Sequence, residues 1–351
     1  MERLFTFDDV LIEPGVSNVE SRRNVRLNTC LGRIKLRIPV ISANMETITE
    51  TKMAASMQLA GGLGILHRFC SVNQNIGMIN FMNEAAASSG VKPQYGVSIG
   101  VNDKEKERAE KLYEAGARIF CIDVAHGAQR KVVDQASWLK ENDCNQDIEI
   151  IVGNFATSEQ IDWFINHTCS DDFIFKVGIG PGSVCSTRMK TGVGVPQLYA
   201  IKECVENTGV DIIADGGIRY PGDIAKALAV GAKAVMLGGM LAGTDEAPGE
   251  ISAEYEYDEF GGVSKSTMFK TYAGSAAVGY ADGWRTSEGV VRVVECKGPV
   301  KNILKDIEGG LRSALTYVGA RNLKDFKQKA NLIFISNSSR IENTPHLKVG
   351  E

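Results

Sequence analysis

Residues 210–240 read VDIIADGGIRYPGDIAKALAVGAKAVMLGGM. An apolar, β-rich run, VDIIADGGI, ends on a carboxylate and two glycines. A helical-period stretch, PGDIAKALAVGA, follows it, and a second apolar run, AVMLGGM, closes the segment on two more glycines. Apolar residues at three- and four-residue spacing between two short β-rich runs describe a strand, a crossover helix and a parallel strand. The segment poses two questions: how often the unit recurs, and why its strands end in glycine.

The unit recurs upstream. The β-rich runs are IPVISANM (38–45), LGILHRF (63–69), QYGVSIGV (94–101), RIFCIDVAH (118–126), DIEIIVGNF (147–155) and DFIFKVGIG (172–180). Helical-period stretches stand between them, among them DKEKERAEKLYEAGA, AQRKVVDQASWLKEN, SEQIDWFINH and PQLYAIKECVENTG, and several end in Gly, as a helix C-cap does. Eight such units in roughly 200 residues predict an α/β fold, a (β/α)8 TIM barrel. An open, doubly wound sheet is the alternative, because periodicity alone does not close a sheet. No G-x-G-x-x-G follows the first run, which speaks against a dinucleotide-binding version of it. One barrel domain is expected over 1–351. Residues 250–290, rich in Gly, acidic and aromatic side chains, are too long for a connector and are expected to form a mobile flap. A helical extension, VKNILKDIEGGLRSALTYVGA, and a frayed tail are expected over about 291–351.

Composition narrows the function classes. The chain has 351 residues, 44% hydrophobic and 23% charged, with a net charge of −4. That suits a globular protein with a sizeable core and gives no electrostatic footprint for nucleic acid or an anionic membrane. No run approaches the roughly 18 apolar residues of a membrane span, and MERLFTFDDVLIEP has no apolar signal core, so a cytoplasmic protein is expected. Eight cysteines are scattered without a Cys-x-x-Cys pair, which argues against a disulfide framework or a structural zinc.

In a barrel of this kind, functional groups come from the carboxyl ends of the strands. Those ends carry Asn44, His67, Arg68, Ser98, Asn102, Asp123, His126, Asn154, the loop from Gly178 to Cys185, Asp215 to Gly217, and Gly238 with Gly239. Any one of these suits a strand turning into a loop. Repeated on one rim, the set points to a ligand site. Phosphate commonly sits on the last two strand–helix loops, where Gly216–Gly217 and Gly238–Gly239 leave backbone N–H groups unobstructed. Ser183 adds a hydroxyl. Beside this cradle, GIGPGSVCSTR (178–188) holds Cys185. Nearby N–H dipoles favour its thiolate, which attacks electron-poor carbon. The other seven cysteines read as small buried hydrophobes. Thr187 is placed to hold a leaving group or a water, Asp123 to orient a ligand or relay a proton, and Glu288, in RTSEG, to reach the site when the flap closes. A local cap or a solvated carboxylate is the plainer alternative for each.

These stretches, together with TFDDVLIEP, IPVISANMETITE, GGLGILHRF, VGNFAT, VMLGGMLAGT and GGLRSALTYVGA, resemble the IMP dehydrogenase / GMP reductase family in order and over nearly the whole chain. The resemblance implies a barrel that assembles as a homotetramer. It implies GMP or IMP held by its phosphate, the Cys185 thiol attacking purine C2, and NADP(H) stacked on the base. Carried over residue by residue, the phosphate falls on Ser183, Gly217, Gly238 and Gly239, and the ribose on Asp215. Gly274 and Ser275 lie near the base, with Arg285 and Gly289 on the flap side. Arg68, Asp123, Asn154 and Gly178 fall on the cofactor side. The carbonyls of Gly180, Gly182 and Cys185 are implied to bind a monovalent cation, K+.

The branch is read from two places. The segment SVNQNIGMINFMNEAAASSGVKPQ runs directly from the second strand to the third, so no CBS domain is inserted. In the flap, Arg285 is followed by Thr286 rather than the Tyr of a dehydrogenase's water-activating pair, and RTSEG resembles the reductase pattern around its catalytic Glu. DVAHG and RMKTGVGVPQL also resemble the reductase, whereas SANMETITE and GGLGIL look dehydrogenase-like and Arg68 stands where Lys is usual. The expected activity is NADPH-dependent reductive deamination of GMP to IMP and ammonia through a Cys185 thioimidate. The alternatives are a dehydrogenase without CBS domain, converting IMP to XMP with NAD, and a non-catalytic nucleotide-binding protein. Without the resemblance, a phosphate-binding barrel lyase or synthase is a further reading.

Overall fold

Eight short, almost wholly buried apolar runs form parallel strands: β1 (Val40–Ser42), β2 (Leu63–Leu66), β3 (Tyr95–Ile99), β4 (Ile119–Asp123), β5 (Glu149–Phe155), β6 (Ile174–Val177), β7 (Asp211–Asp215) and β8 (Ala234–Leu237). Strands covered on both faces carry continuous apolar runs rather than alternation. They pair in chain order, and β8 returns to β1 through Val235–Val40, Met236–Ile41 and Leu237–Ser42, which closes the barrel. The computed structural model describes residues 4–142, 147–258, 262–274 and 288–343. Cys144, Ser275, Arg285 and the end of the chain after 343 lie outside the described residues.

Helices α1 (Thr51–Ala60), α2 (Val72–Ser88), α3 (Asp103–Glu114), α4 (Arg130–Glu141) and α5 (Ser158–Thr168) follow the first five strands. A short α6 (Thr187–Thr191) precedes α7 (Gln197–Thr208), and α8 (Pro221–Ala229) follows β7. The helix predicted as part of a C-terminal extension is α9 (Val300–Val318), and it is no appendage. Val300, Leu304, Ile307, Leu311, Leu315 and Val318 recur at helical spacing and are buried as α9 packs between α8 and α1. It is the eighth helix of the barrel, separated from β8 by an inserted sheet. A final helix, α10 (Leu323–Lys329), packs on α8 and α9.

That insertion is the expected flap region, and its described part is built from strands. β9 (Ile251–Tyr257), β10 (Val263–Ala273) and β11 (Val291–Glu295) form an antiparallel three-stranded sheet. Its root is fixed to the barrel. The Lys270 ammonium donates to the carbonyls of Thr244 and Ala247, both at 2.8 Å, and the Ala273 N–H donates to Thr47 Oγ1 at 3.1 Å. At the opposite end a hairpin of Thr29–Leu31 and Ile34–Leu36 covers the amino ends of the strands, with Gly32 N–H on Asp211 and Arg33 paired with Glu149.

The sequence runs were longer than the strands because several continue into rim loops. Gly178 shows why the chain must turn there. A Cβ on it would lie 1.9 Å from the Asp215 carbonyl oxygen, so the loop after β6 is pressed against the end of β7. Gly178→Ala is expected to lower stability by about 1–3 kcal/mol, the usual cost of overpacking. A wild-type denaturation midpoint for that variant would contradict this contact.

Candidate active site

The loop after β6 turns tightly, with the Cys185 N–H donating to the Gly182 carbonyl at 3.0 Å, and then enters α6. The segment leading into β11 pairs with it. Ser186 N–H donates to the Glu288 carbonyl at 2.7 Å, Val290 N–H to the Val184 carbonyl at 3.0 Å, and Cys185 bridges Gly289. Gly274 completes the junction, because a Cβ there would stand 2.7 Å from the Val184 carbonyl oxygen. Three segments far apart in sequence therefore meet at the thiol.

The side chains are aligned to match. Cys185 Sγ lies 3.1 Å from Thr187 Oγ1, and Thr187 Oγ1 donates to Glu288 Oε2 at 2.5 Å. Thr187 is buried and Cys185 half-buried, so the hydroxyl bridges thiol and carboxylate away from bulk water. Arg188 braces the loop by donating to the carbonyls of Ile179 and Val195.

The cradle is recognisable nearby. Ser183 Oγ stands 3.4 Å from the Tyr272 hydroxyl. A Cβ on Gly239 would lie 2.9 Å from Ser183 Oγ, and one on Gly238 would lie 3.0 Å from the Tyr272 hydroxyl, so the glycines admit both hydroxyls to one spot. Gly216 and Gly217, with φ of +88° and +78°, turn the neighbouring loop against Pro181. Tyr272 was not singled out from the sequence. Its strand, VSKSTMFKTYA, shows no apolar–polar alternation, and only Lys270 and Tyr272 near its end are buried.

Lys176, inside β6, organises the barrel interior. Its Nζ lies 2.9 Å from Asp123 Oδ1 and 2.7 Å from Asp215 Oδ2, and it also donates to the Asn154 side-chain oxygen. The Asn154 amide donates to the Gly178 carbonyl at 2.6 Å and to Asp215 at 2.8 Å. Burial opposes the Asp123 charge, but Lys176, then Arg68 and Asn44, outweigh it and hold the carboxyl below its ordinary range. Burial also opposes the Lys176 charge, and the two carboxylates reverse the balance and hold the ammonium above its ordinary range.

Of the residues expected on the cofactor side, Asn154 and Gly178 are thus accounted for by these internal contacts. Asp123 and Arg68 remain at the rim, and among the described residues the buried Arg68 Nε has no acceptor. An orphaned donor beside a held carboxylate suits a ligand bearing a carboxamide. His67 is turned away, with Nδ1 accepting from Phe69 N–H at 3.1 Å and Nε2 3.4 Å from Glu50. No group of His, Cys, Asp and Glu among the described residues could hold a metal ion, and no helix among them is long and apolar enough to cross a membrane.

One protein-family model, described as IMP dehydrogenase / GMP reductase domain, matches residues 4–346. A GMP reductase of Enterobacter sp. (strain 638) is 37% identical over 351 residues, covering 96% of this chain and 97% of the relative. An inosine-5'-monophosphate dehydrogenase of Cryptosporidium parvum is 34% identical over 396 residues, covering 97% and 94%. A GMP reductase of Leishmania major is 29% identical over 483 residues, covering 97% and 96%. The last two alignments exceed the 351 residues of this chain, so those relatives hold extra residues within the matched span. Extra residues accompany both names, and the absence of an inserted domain therefore does not choose between them.

Lys176→Gln removes the cation from between two carboxylates and is expected to destabilise the protein by roughly 3–5 kcal/mol at neutral pH, read from chemical denaturation. Asp123 titrates below its unfolded value. Its contribution is complete above the ordinary carboxylate range and is lost as pH falls through the native pKa. The gap between variant and wild type should accordingly narrow in acid, and a gap that widens there would contradict the ion-pair account.

Proposed function

Because the chain belongs to the IMP dehydrogenase / GMP reductase family, an oxidoreductase family acting on purine nucleotides, we propose that it reductively deaminates GMP to IMP and ammonia with NADPH. The observation that carries this reading is the unbroken hydrogen-bonded line Cys185–Thr187–Glu288. A departing amine needs a proton, and this line supplies one at the thiol. The thiol proton passes through the Thr187 hydroxyl to the Glu288 carboxylate, leaving a thiolate. The thiolate adds to C2 of the purine. Glu288 then returns the proton through Thr187 to the amino group, the C2–N bond breaks, and ammonia leaves a thioimidate on Cys185. NADPH supplies the hydride that C2 receives. Cys185 departs as thiolate as the C–S bond breaks, and a proton taken up from solvent restores the thiol.

Binding follows from the same geometry. The phosphate is assigned to Ser183, Gly217, Gly238, Gly239 and the Tyr272 hydroxyl, where hydroxyls and backbone N–H groups converge. Asp215, fixed by Lys176 and Asn154, is assigned to the ribose diol, whose hydroxyls donate to a carboxylate. Gly274 and Gly289 border the base. Arg68 and Asp123 would hold the nicotinamide carboxamide. The carbonyls of Gly180, Gly182 and Cys185 are the proposed seat of a monovalent cation such as K+; the Gly182 oxygen accepts the Cys185 N–H and keeps a second lone pair. A homotetrameric, cytoplasmic enzyme of one barrel domain belongs to the same proposal, on the strength of the resemblance.

Conversion of IMP to XMP with NAD is the second reading, favoured by the 34% identity to the Cryptosporidium dehydrogenase. It requires a water to be activated on the thioimidate, whereas Glu288 is committed to Thr187.

Nicotinamide absorbance separates the two. Loss of NADPH absorbance with GMP, with ammonia appearing in equal amount, is expected for the wild type and abolished in Cys185→Ala. Glu288→Gln should lower kcat roughly 10²- to 10⁴-fold while GMP still binds, as expected for loss of a positioned acid–base group. An absorbance rise only with IMP and NAD would overturn the reductase reading.

A further inference from the structure

Lys297 lies in the short connection between β11 and α9 and reaches back under the loop after β8. Its Nζ donates to the Gly239 carbonyl at 2.9 Å and to the Met240 carbonyl at 3.2 Å. Its own N–H donates to the Gly243 carbonyl at 2.8 Å, which locks the two segments together. Among the described residues, no carboxylate stands within ion-pair distance of this ammonium. The Lys297 side chain remains exposed to solvent, and the burial it does undergo pushes it below its ordinary range. An ammonium held on carbonyl oxygens without a counter-ion attracts a nearby anion.

The peptide geometry indicates where that anion sits. A trans peptide points its C=O and its N–H in opposite directions. With the Gly239 oxygen drawn toward Lys297, the N–H of Met240 faces the other way. Ser183 Oγ and the Tyr272 hydroxyl crowd against the same two residues, Gly239 and Gly238. Among the described residues, the N–H groups of Gly239 and Met240 donate to no protein acceptor. The loop therefore has an ammonium on its carbonyls and two unsatisfied N–H donors, one of which, on Met240, is turned away from that ammonium.

We propose that Lys297 is a positioning residue of the phosphate subsite: it orients the Gly239–Met240 peptides and supplies a positive charge that the phosphate of a nucleoside monophosphate neutralises. The inference rests on the assignment of the phosphate to this loop. It makes phosphate affinity depend on β11, the strand that carries the segment from Glu288 back to the barrel.

Calorimetric titration tests it independently of reaction direction, with GMP, IMP and guanosine as probes on wild type, Lys297→Met and Lys297→Arg. The wild type is expected to bind GMP and IMP far more tightly than guanosine. Lys297→Met should weaken both nucleotides roughly tenfold to a hundredfold, the range for a lost charge-assisted contact, and leave guanosine unchanged. Lys297→Arg should recover most of the loss. Lys297→Gln, which keeps a donor without the charge, replaces the Met variant if that one does not fold. Equal affinity of the wild type for GMP and guanosine would overturn the phosphate assignment itself. A wild-type preference for GMP with equal losses for GMP and guanosine in the variants, or no loss for either, would overturn the role of Lys297 alone.

Discussion

Closure of eight parallel strands into a barrel constrains the rest of the molecule. Hydrogen bonding between β8 and β1 removes every sheet edge, and the common strand direction places all eight carboxyl ends on one rim. The residues that matter chemically are scattered from Arg68 to Lys297, yet the rim gathers them. The interior must be filled, and here it is filled partly with charge. Lys176 sits among buried aliphatic side chains and binds Asp123 and Asp215 across the barrel. A buried ion pair of this kind contributes little net stability, but it fixes two carboxylates in charge and direction. Asp215 and Asp123 share that one ammonium, so a single lysine fixes the carboxylates at the ends of two strands.

The second device is the sheet inserted between β8 and its helix. It starts from the loop after β8, extends outward as β9 and β10, and returns with Glu288 beside Thr187 and Lys297 on the Gly239 carbonyl. Cys185, Glu288 and the loop after β8 are thereby linked through a single excursion of the chain.

Much of this was legible in the sequence. All eight strands show as continuous apolar runs, because strands covered on both faces need apolar residues on both. Their ends were drawn too far, since Ala43, Ile179 and Val101 are apolar yet lie in rim loops, where periodicity has no power. The inserted sheet read as a flap rather than as strands: ISAEYEY does alternate apolar and polar residues, but it is exposed on both faces and lacks the continuous apolar run that marks the barrel strands. The helix α9 was clear, but its place as the eighth of the barrel was not, because its strand lies some way upstream. Cys185, Thr187 and Glu288 were identifiable from their loop and motif. Lys176, Tyr272 and Lys297 were not, since a lysine or tyrosine in a strand or connector gives no local sign of the distant partners it meets.

The central claim is that the Cys185–Thr187–Glu288 line expels an amine before any hydride arrives. Rapid acid quenching after mixing with GMP alone, followed by peptide mass analysis and an ammonia assay, tests this directly. The account predicts a purine adduct on the peptide containing Cys185, with ammonia released in equal amount, and neither in Glu288→Gln. Absence of the adduct in the wild type, or its full formation without Glu288, would contradict it.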